Sequence, residues 1–402
     1  MPLRVNARVD LGAIEHNCRL LDERIGPHSA LCAVVKANGY GHGAVPAARA
    51  ALAGGARWLA VAAACEATEL RAAGIDAPLI VLGALTEEEL RVAVAADADV
   101  VAWTEAFVEQ ARRAGSARVH LKLDVGMGRL GTRDADELLR VGELVAAAPE
   151  LALVGAMTHF PCADEDLELT REQLAAFGAF GERLRAAHPD VLLHGANSAA
   201  AIALPESRLD LVRCGIAVYG LDPWGRDAEA HGLRPALELR TWVAAVKRLE
   251  AGQTVGYGAT FTAREPTWIA TLPIGYGDGL RRALSNNGEV LVGGRRRPIA
   301  GRVSMDNVCV DLGPEPPSVA VGDVAVVIGA DGSERITAEQ QAGWIDTINY
   351  EITTALSARV TWTFHGGVAS AEGAGDATGG DGTAGAGAPS SGAGAHVSEA
   401  AR

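Results

Sequence analysis

Eight short apolar, β-prone runs recur along the first part of the chain, each followed by a longer Ala/Leu/Glu/Arg-rich stretch. This alternation constrains the fold more than any other feature. The runs fall at 31–35, 58–62, 79–82, 100–103, 119–123, 153–158, 191–194 and 211–213, and the stretches 87–96, 135–147 and 172–186 read as intervening helices. Strands that alternate with helices build a parallel sheet, either closed into a barrel or open and doubly wound. Eight units favour an α/β architecture of the (β/α)8 TIM-barrel type. After about residue 232 the texture changes to β-branched runs closed by Gly and Pro, at 239–249, 268–272, 289–292, 308–312 and 324–328, which reads as a second, mostly β domain. One helical stretch, 338–357, falls within it, with a break expected near Asp346. Residues 3–9 alternate like a strand ahead of the first barrel helix, so they are expected to pair with the second domain. The expected division is therefore a barrel over 1–232, a mostly β domain over 233–365, and a disordered Gly/Ala-rich tail over 366–402, which has almost nothing to bury.

Composition narrows the function classes. With 402 residues, 49% of them apolar, the chain can bury a large core; its formal charge of -14 argues against gripping nucleic acid or an anionic membrane. A small-molecule partner is expected. The opening MPLRVNARVDLG has no apolar signal core, and the Ala-rich region 44–64 is interrupted by Arg49 and Arg57. The six cysteines are scattered, without metal-ligand spacing, and read as reduced thiols in a cytoplasmic protein. No metal site is expected.

Chemistry concentrates at the ends of the barrel strands. The run AVVKANGYGHG ends its apolar segment on Lys36 and enters a glycine-rich turn. A lysine at a strand end can lay its stem along the strand and its ammonium in water. It can also be a desolvated amine, whose lowered pKa suits Schiff-base chemistry. In a barrel of this type reactive groups gather at the carboxyl ends of the strands, and a phosphate commonly binds in the loops after the last two. Those loops are HGANSAA and RCGIAVYG, whose small residues let backbone amides approach an anion and in which Ser198 adds a hydroxyl. An amine on one rim and an anion cradle across the mouth suit pyridoxal 5'-phosphate, which needs both.

The stretches AVVKANGYGHG, HLKLDVGMGRLG, MTHF, HGANSAA, LVRCGIAVYG, VGYGATF, LPIGYGDG, GRVSMDN and DTINYEI, in this order, resemble those of the alanine racemase family. The resemblance runs from about residue 3 to 360. It implies that Lys36 holds pyridoxal 5'-phosphate and acts as a base on one face of the amino acid, with Tyr257 as the second base on the other. A phenol is a poor base near neutrality unless a cation favours its phenolate. Arg129 matches an arginine near that phenol and the substrate carboxylate. Arg213 matches the residue facing the cofactor's pyridine nitrogen; a guanidinium donates there instead of letting the nitrogen carry a proton, which weakens the ring as an electron sink and suits simple proton exchange.

By the same resemblance Tyr40, Ser198, Gly215, Ile216 and Tyr350 bind the phosphate and His159 packs beside the ring. Met305 binds the substrate carboxylate, with Asp306 next to it in the inner pocket. Lys122 matches a lysine often carbamylated in the family. Tyr257 and Met305 are expected to reach the barrel of a second copy, in a head-to-tail homodimer with composite sites. The product role implied is supply of D-alanine for cell-wall peptidoglycan. Three departures stand out: Gly39 where alanine is common, Ser304 where cysteine is frequent, and the long tail.

Rival readings attach to particular residues. GMGRLG fits the G-x-G-x-x-G pattern between a strand and a helix, the context of a dinucleotide fingerprint. Against it, the unit is the fifth of eight and an arginine sits inside the loop. A decarboxylase on the same barrel would share the cofactor lysine but resembles the chain less at Arg213 and around Tyr257. A cofactor-holding barrel without turnover would lack the second domain. Breadth toward serine depends on pocket volume near Tyr257 and Tyr350, which sequence leaves open.

Overall fold

The computed structural model describes residues 3–367. The expected tail therefore lies outside the described residues except for Gly366 and Gly367. The first strand, β1 (Asn6–Asp10), precedes a helix over Leu11–Ile25, and eight parallel strands follow. These are β2 (Ala30–Val34), β3 (Trp58–Val61), β4 (Leu79–Val81), β5 (Val100–Ala102), β6 (Ala117–Lys122), β7 (Leu151–Met157), β8 (Leu192–His194) and β9 (Leu211–Cys214). Two four-stranded sheets, ordered β4-β3-β2-β9 and β5-β6-β7-β8, are joined at both seams. An Ile80–Asp99 bridge links β4 to β5. At the other seam Arg213 N donates to Ala196 O at 2.9 Å and Asp210 N to Leu193 O at 3.1 Å, which closes the cylinder. The short strands are buried nearly throughout, as a parallel sheet covered by helices requires.

The helices start where side chains satisfy their free amides. Thr86 and Glu89 form a reciprocal capping box ahead of Glu87–Ala95. Asp134 caps Ala135–Ala147. The long helix begins at Leu167, five residues before the expected start, because the Asp166 carboxylate accepts from Leu169 N at 3.0 Å.

Beyond the barrel the strands are β10 (Leu237–Trp242), β11 (Ala245–Leu249), β12 (Thr254–Val255), β13 (Phe261–Thr262), β14 (Thr267–Leu272), β15 (Glu289–Val292), β16 (Arg295–Pro298), β17 (Val308–Gly313), β18 (Val324–Asp331), β19 (Glu334–Ile336) and β20 (Thr361–His365). The run 239–249, expected as one strand, divides between two sheets. Val243 N donates to Asp323 O while Ala244 N donates to Thr271 O, so consecutive amides serve different neighbours. β10 joins the sheet β16-β15-β18-β10-β1-β20, and β11 joins β11-β14-β17. The helical stretch is two helices, Ala338–Trp344 and Asn349–Thr354, with Asp346 left-handed (φ 53°) at the break.

β1 runs antiparallel to β10 and parallel to β20. Just before it, Arg4 grips the fully buried Asp278 with bonds of 2.6 and 2.9 Å. The amino-terminal segment thus stitches the second group of strands to the start of the barrel, and that docking brings the helix Asn349–Thr354 over the barrel mouth.

Candidate active site

A cavity of about 410 Å³ opens at the carboxyl ends of the barrel strands. It brings together ten of the residues expected to act: Lys36, Tyr40, Lys122, Arg129, His159, Ser198, Arg213, Gly215, Ile216 and Tyr350. Asn197, Leu82, Gly83, Leu130 and Thr354 also line it and were not singled out by sequence. Only three of the chain's 36 basic residues are lysines, Lys36, Lys122 and Lys247, and two of them line this cavity. That scarcity is a sequence signal for both positions.

Lys36 stands two residues past the end of β2, after Val35, and opens a turn of left-handed helix. Ala37, Asn38 and Gly39 have φ of 52, 53 and 60° with ψ of 45–52°, and Tyr40 has φ 52°. Such a turn costs roughly 1–2 kcal/mol per residue with a side chain, so its surroundings must hold it. The Glu66 carboxylate accepts from Ala37 N at 2.6 Å, and Asn38 Oδ1 accepts from Ala44 N at 3.0 Å. Trp362 Nε1 donates to Gly41 O at 2.9 Å. Gly41 has no room for a side chain, since a Cβ there would lie 2.1 Å from Thr353 O. Gly39, the departure from the commoner alanine, relieves the strain at one of the left-handed positions. Among the described residues the Lys36 amine has no hydrogen bond or ion pair. Burial lowers its pKa, and Arg129 and Arg213 add to the effect against the opposing pull of Glu66.

Lys122 is the last residue of β6 and is 5% exposed, again without a partner among the described residues. Burial first, then Arg213 and Arg129, pushes its pKa down to about 8. Arg129 stands exposed at the cavity mouth.

Arg213, buried in β9, is held on every side by neutral acceptors. It reaches His194 Nδ1 at 2.9 Å, Thr158 O at 2.7 Å, Gly195 O at 3.2 Å and His159 Nδ1 at 3.4 Å. The salt bridge with Asp210 or Asp222 that an ordinary strand-end arginine would form is absent; Asp210 serves Arg185 and Leu193 N instead. Burial brings the Arg213 pKa down to about 10, so the guanidinium is still charged near neutrality. Burial and Arg213 hold His159 neutral, with its pKa near 3.

At the far wall Ser198 Oγ accepts from Gly215 N at 3.1 Å and Ala217 N at 3.4 Å, drawing the loops after β8 and β9 together. Asn197, and not Ser198, caps the short helix Ser198–Ala203. A Cβ on Gly215 would lie 2.3 Å from Tyr40 Oη, so the glycine lets that hydroxyl close on the backbone. Tyr350 flanks Tyr40 with ring centroids 6.0 Å apart. Hydroxyls and backbone amides converge there without a carboxylate, a donor set that fits a phosphate, while the Lys36 amine, without a partner among the described residues, fits an aldehyde.

Three expected residues lie elsewhere. Tyr257, in a tight turn between β12 and β13, is 73% exposed, and Met305 is 51% exposed. Asp306 pairs with Arg359 at 2.6 Å. The GMGRLG loop does not form a dinucleotide cradle: the Gly126 and Gly128 amides bond the Asp124 carboxylate at 3.0 Å, and the following helix starts only at Ala135.

The family models for the alanine racemase N-terminal and C-terminal domains match residues 9–223 and 236–364. The chain belongs to the alanine racemase family. It is 46% identical over 372 residues to an alanine racemase of Symbiobacterium thermophilum, covering 90% of this chain and 97% of that protein. An alanine racemase of Thermobifida fusca is 44% identical over 373 residues, with 90% and 98% covered. The crystal structure of alanine racemase from D-cycloserine-producing Streptomyces lavendulae superposes with a TM-score of 0.87 at 41% identity, over 92% of this chain and 98% of that one. The fold is accordingly the alanine racemase barrel with its mostly β carboxyl-terminal part, and the chain is a racemase, an isomerase.

Proposed function

We propose that the chain interconverts L- and D-alanine on bound pyridoxal 5'-phosphate, moving the α-proton between two bases on opposite faces, and so supplies D-alanine for cell-wall peptidoglycan in the cytoplasm. The observation that carries this reading is the half-buried Lys36 amine, without a partner among the described residues, in the cavity whose far wall is lined by Ser198, Gly215, Ile216, Tyr40 and Tyr350. The cofactor, bound through Lys36, would supply the electron sink that makes the α-proton removable.

The chain's own residues do the rest. Ser198, Tyr40, Tyr350 and the amides of Gly215 and Ile216 would hold the phosphate, and Arg213 would donate to the ring nitrogen, keeping that nitrogen unprotonated and discouraging side reactions. His159, held neutral, would pack on the ring. The lowered pKa of Lys36 raises the neutral fraction able to take a proton at Nζ. On the opposite face the partner subunit's Tyr257 would give or take a proton at its phenol oxygen. Arg129, with the partner's Met305 and Asp306, would complete the substrate pocket. Exposure of Tyr257 and Met305, away from this chain's own cavity, supports a head-to-tail homodimer with composite sites. The working division would be the barrel over 1–232 and the mostly β domain over 233–365.

The test is the purified chain with D-alanine in deuterated water. Incorporation of α-deuterium together with appearance of L-alanine is expected. Exchange that retains configuration would leave only one working base and refute the two-base reading.

A further inference from the structure

Behind Arg213 a line of buried polar side chains crosses the barrel interior. His194 Nε2 lies 2.9 Å from His120 Nδ1, His120 Nε2 lies 3.1 Å from Asp99 Oδ2, and Arg118 Nε donates to Asp99 Oδ1 at 2.5 Å. His194 and His120 are fully buried, and Asp99 is 1% exposed. Room for this line is built into the strands. β7 carries one extra residue, Val154, where it pairs with β6, so that Val119 faces Leu153 and the next residue, His120, faces Gly155. At Gly155, directly after the bulge, a Cβ would lie 2.2 Å from His120 Nδ1. Trp58 meets the His120 ring edge-on with centroids 6.0 Å apart.

The donors fix the proton positions. A guanidinium only donates, so His194 Nδ1 must accept from Arg213. His194 then carries its proton on Nε2 and donates to His120 Nδ1. His120 in turn carries its only proton on Nε2 and donates to Asp99. Every bond points the same way, from Arg213 toward the carboxylate, and Arg118, paired also with Asp97 at 2.8 Å, anchors that carboxylate at the barrel floor. Successive bonds of one polarity reinforce each other.

We propose that Asp99, His120 and His194 are positioning residues that fix the orientation of Arg213 and set how strongly it donates into the cavity. Resting on the functional reading above, the proposal makes the floor of the barrel an outer support of the cofactor's ring nitrogen.

The Asp99→Asn variant reverses the line. An asparagine that keeps its carbonyl on Arg118 turns its amide NH2 toward His120 Nε2. That nitrogen must now accept, so both histidines move their protons to Nδ1, and His194 Nδ1–H faces the Arg213 guanidinium. The experiment is 15N NMR of histidine-labelled wild-type and Asp99→Asn holoenzyme, beside kcat, KM for alanine and the visible absorption of the bound cofactor. In the wild type both buried histidines are expected with unprotonated Nδ1 and protonated Nε2. In the variant the pattern should reverse, with kcat lower by on the order of tenfold, as for outer partners of other site residues, KM little changed and the absorption band displaced.

A protonated Nδ1 on either histidine of the wild type would overturn the proposal, and this needs no variant to fold. So would a variant with reversed tautomers but wild-type kcat and spectrum, or one with lower kcat and unaltered tautomers. Failure of the functional reading shows separately, as wild-type protein without cofactor absorption or α-deuterium exchange; the tautomers of the two chains then decide alone.

Discussion

Replacing Lys122 with methionine should stabilise the protein, and the gain should depend on pH in a definite direction. The amine is buried, lacks a partner among the described residues, and is pushed from its ordinary 10.5 down to about 8 by burial and by Arg213 and Arg129. A displacement of that size corresponds to about 3 kcal/mol of unfavourable burial of the charged form. Because the folded pKa lies below the unfolded one, the unfolded chain binds more protons between pH 8 and 10.5, so the wild type gains stability as pH rises through that window. Lys122→Met has similar volume and no charge to desolvate. In carbonate-free buffer it should therefore unfold in urea with a free energy about 3 kcal/mol higher at pH 7, an advantage that shrinks toward zero by pH 10.5. An unchanged or lower stability at pH 7, or an advantage independent of pH, would refute the reasoning.

The same displacement prepares the amine for carbon dioxide: at pH 7.5 about a quarter is neutral, against about one part in a thousand for an ordinary lysine. Added bicarbonate should stabilise the wild type and leave the methionine variant indifferent, with the carbamate visible in the intact mass.

Gly41→Ala should cost at least about 3 kcal/mol in thermal or urea unfolding, because it adds left-handed strain at φ +83° to a Cβ placed 2.1 Å from Thr353 O. Asp278→Ala should cost about 2–3 kcal/mol, measured by urea denaturation, since Arg4 and Gly275 N both lose their acceptor. Mixing inactive Lys36→Ala and Tyr257→Phe chains after dissociation should restore about a quarter of wild-type activity, as half the dimers are mixed and each holds one intact site. No recovery would count against composite sites.

The barrel was legible because eight apolar runs separated by capped, helix-forming stretches leave few other solutions. The cavity was legible because the fold puts the end of every strand at one mouth, so Lys36, Ser198 and Arg213 could be placed together from their positions along the chain. The split of 239–249 was not, since two adjacent amides choosing different sheets leaves no mark in residue types. The left-handed turn after Lys36 was hidden for the opposite reason: only Asn38 and Gly39 in it favour positive φ, while Ala37 is held there by the distant Glu66 carboxylate and Tyr40 follows it into the same conformation. His120 and His194 were missed as a pair because a bulge sets their register, and a bulge is invisible until β6 meets β7.

The scarcity of lysine reaches beyond the cavity. With two of its three amines enclosed, the surface carries its positive charge almost wholly as guanidinium, which does not deprotonate at any pH the fold would survive. Apart from an α-amino group, an acylating reagent or an aldehyde-coated support finds Lys247 on β11 as its exposed target. Attachment through side-chain amines would therefore orient every molecule alike, tethered by the second group of strands with the barrel left free.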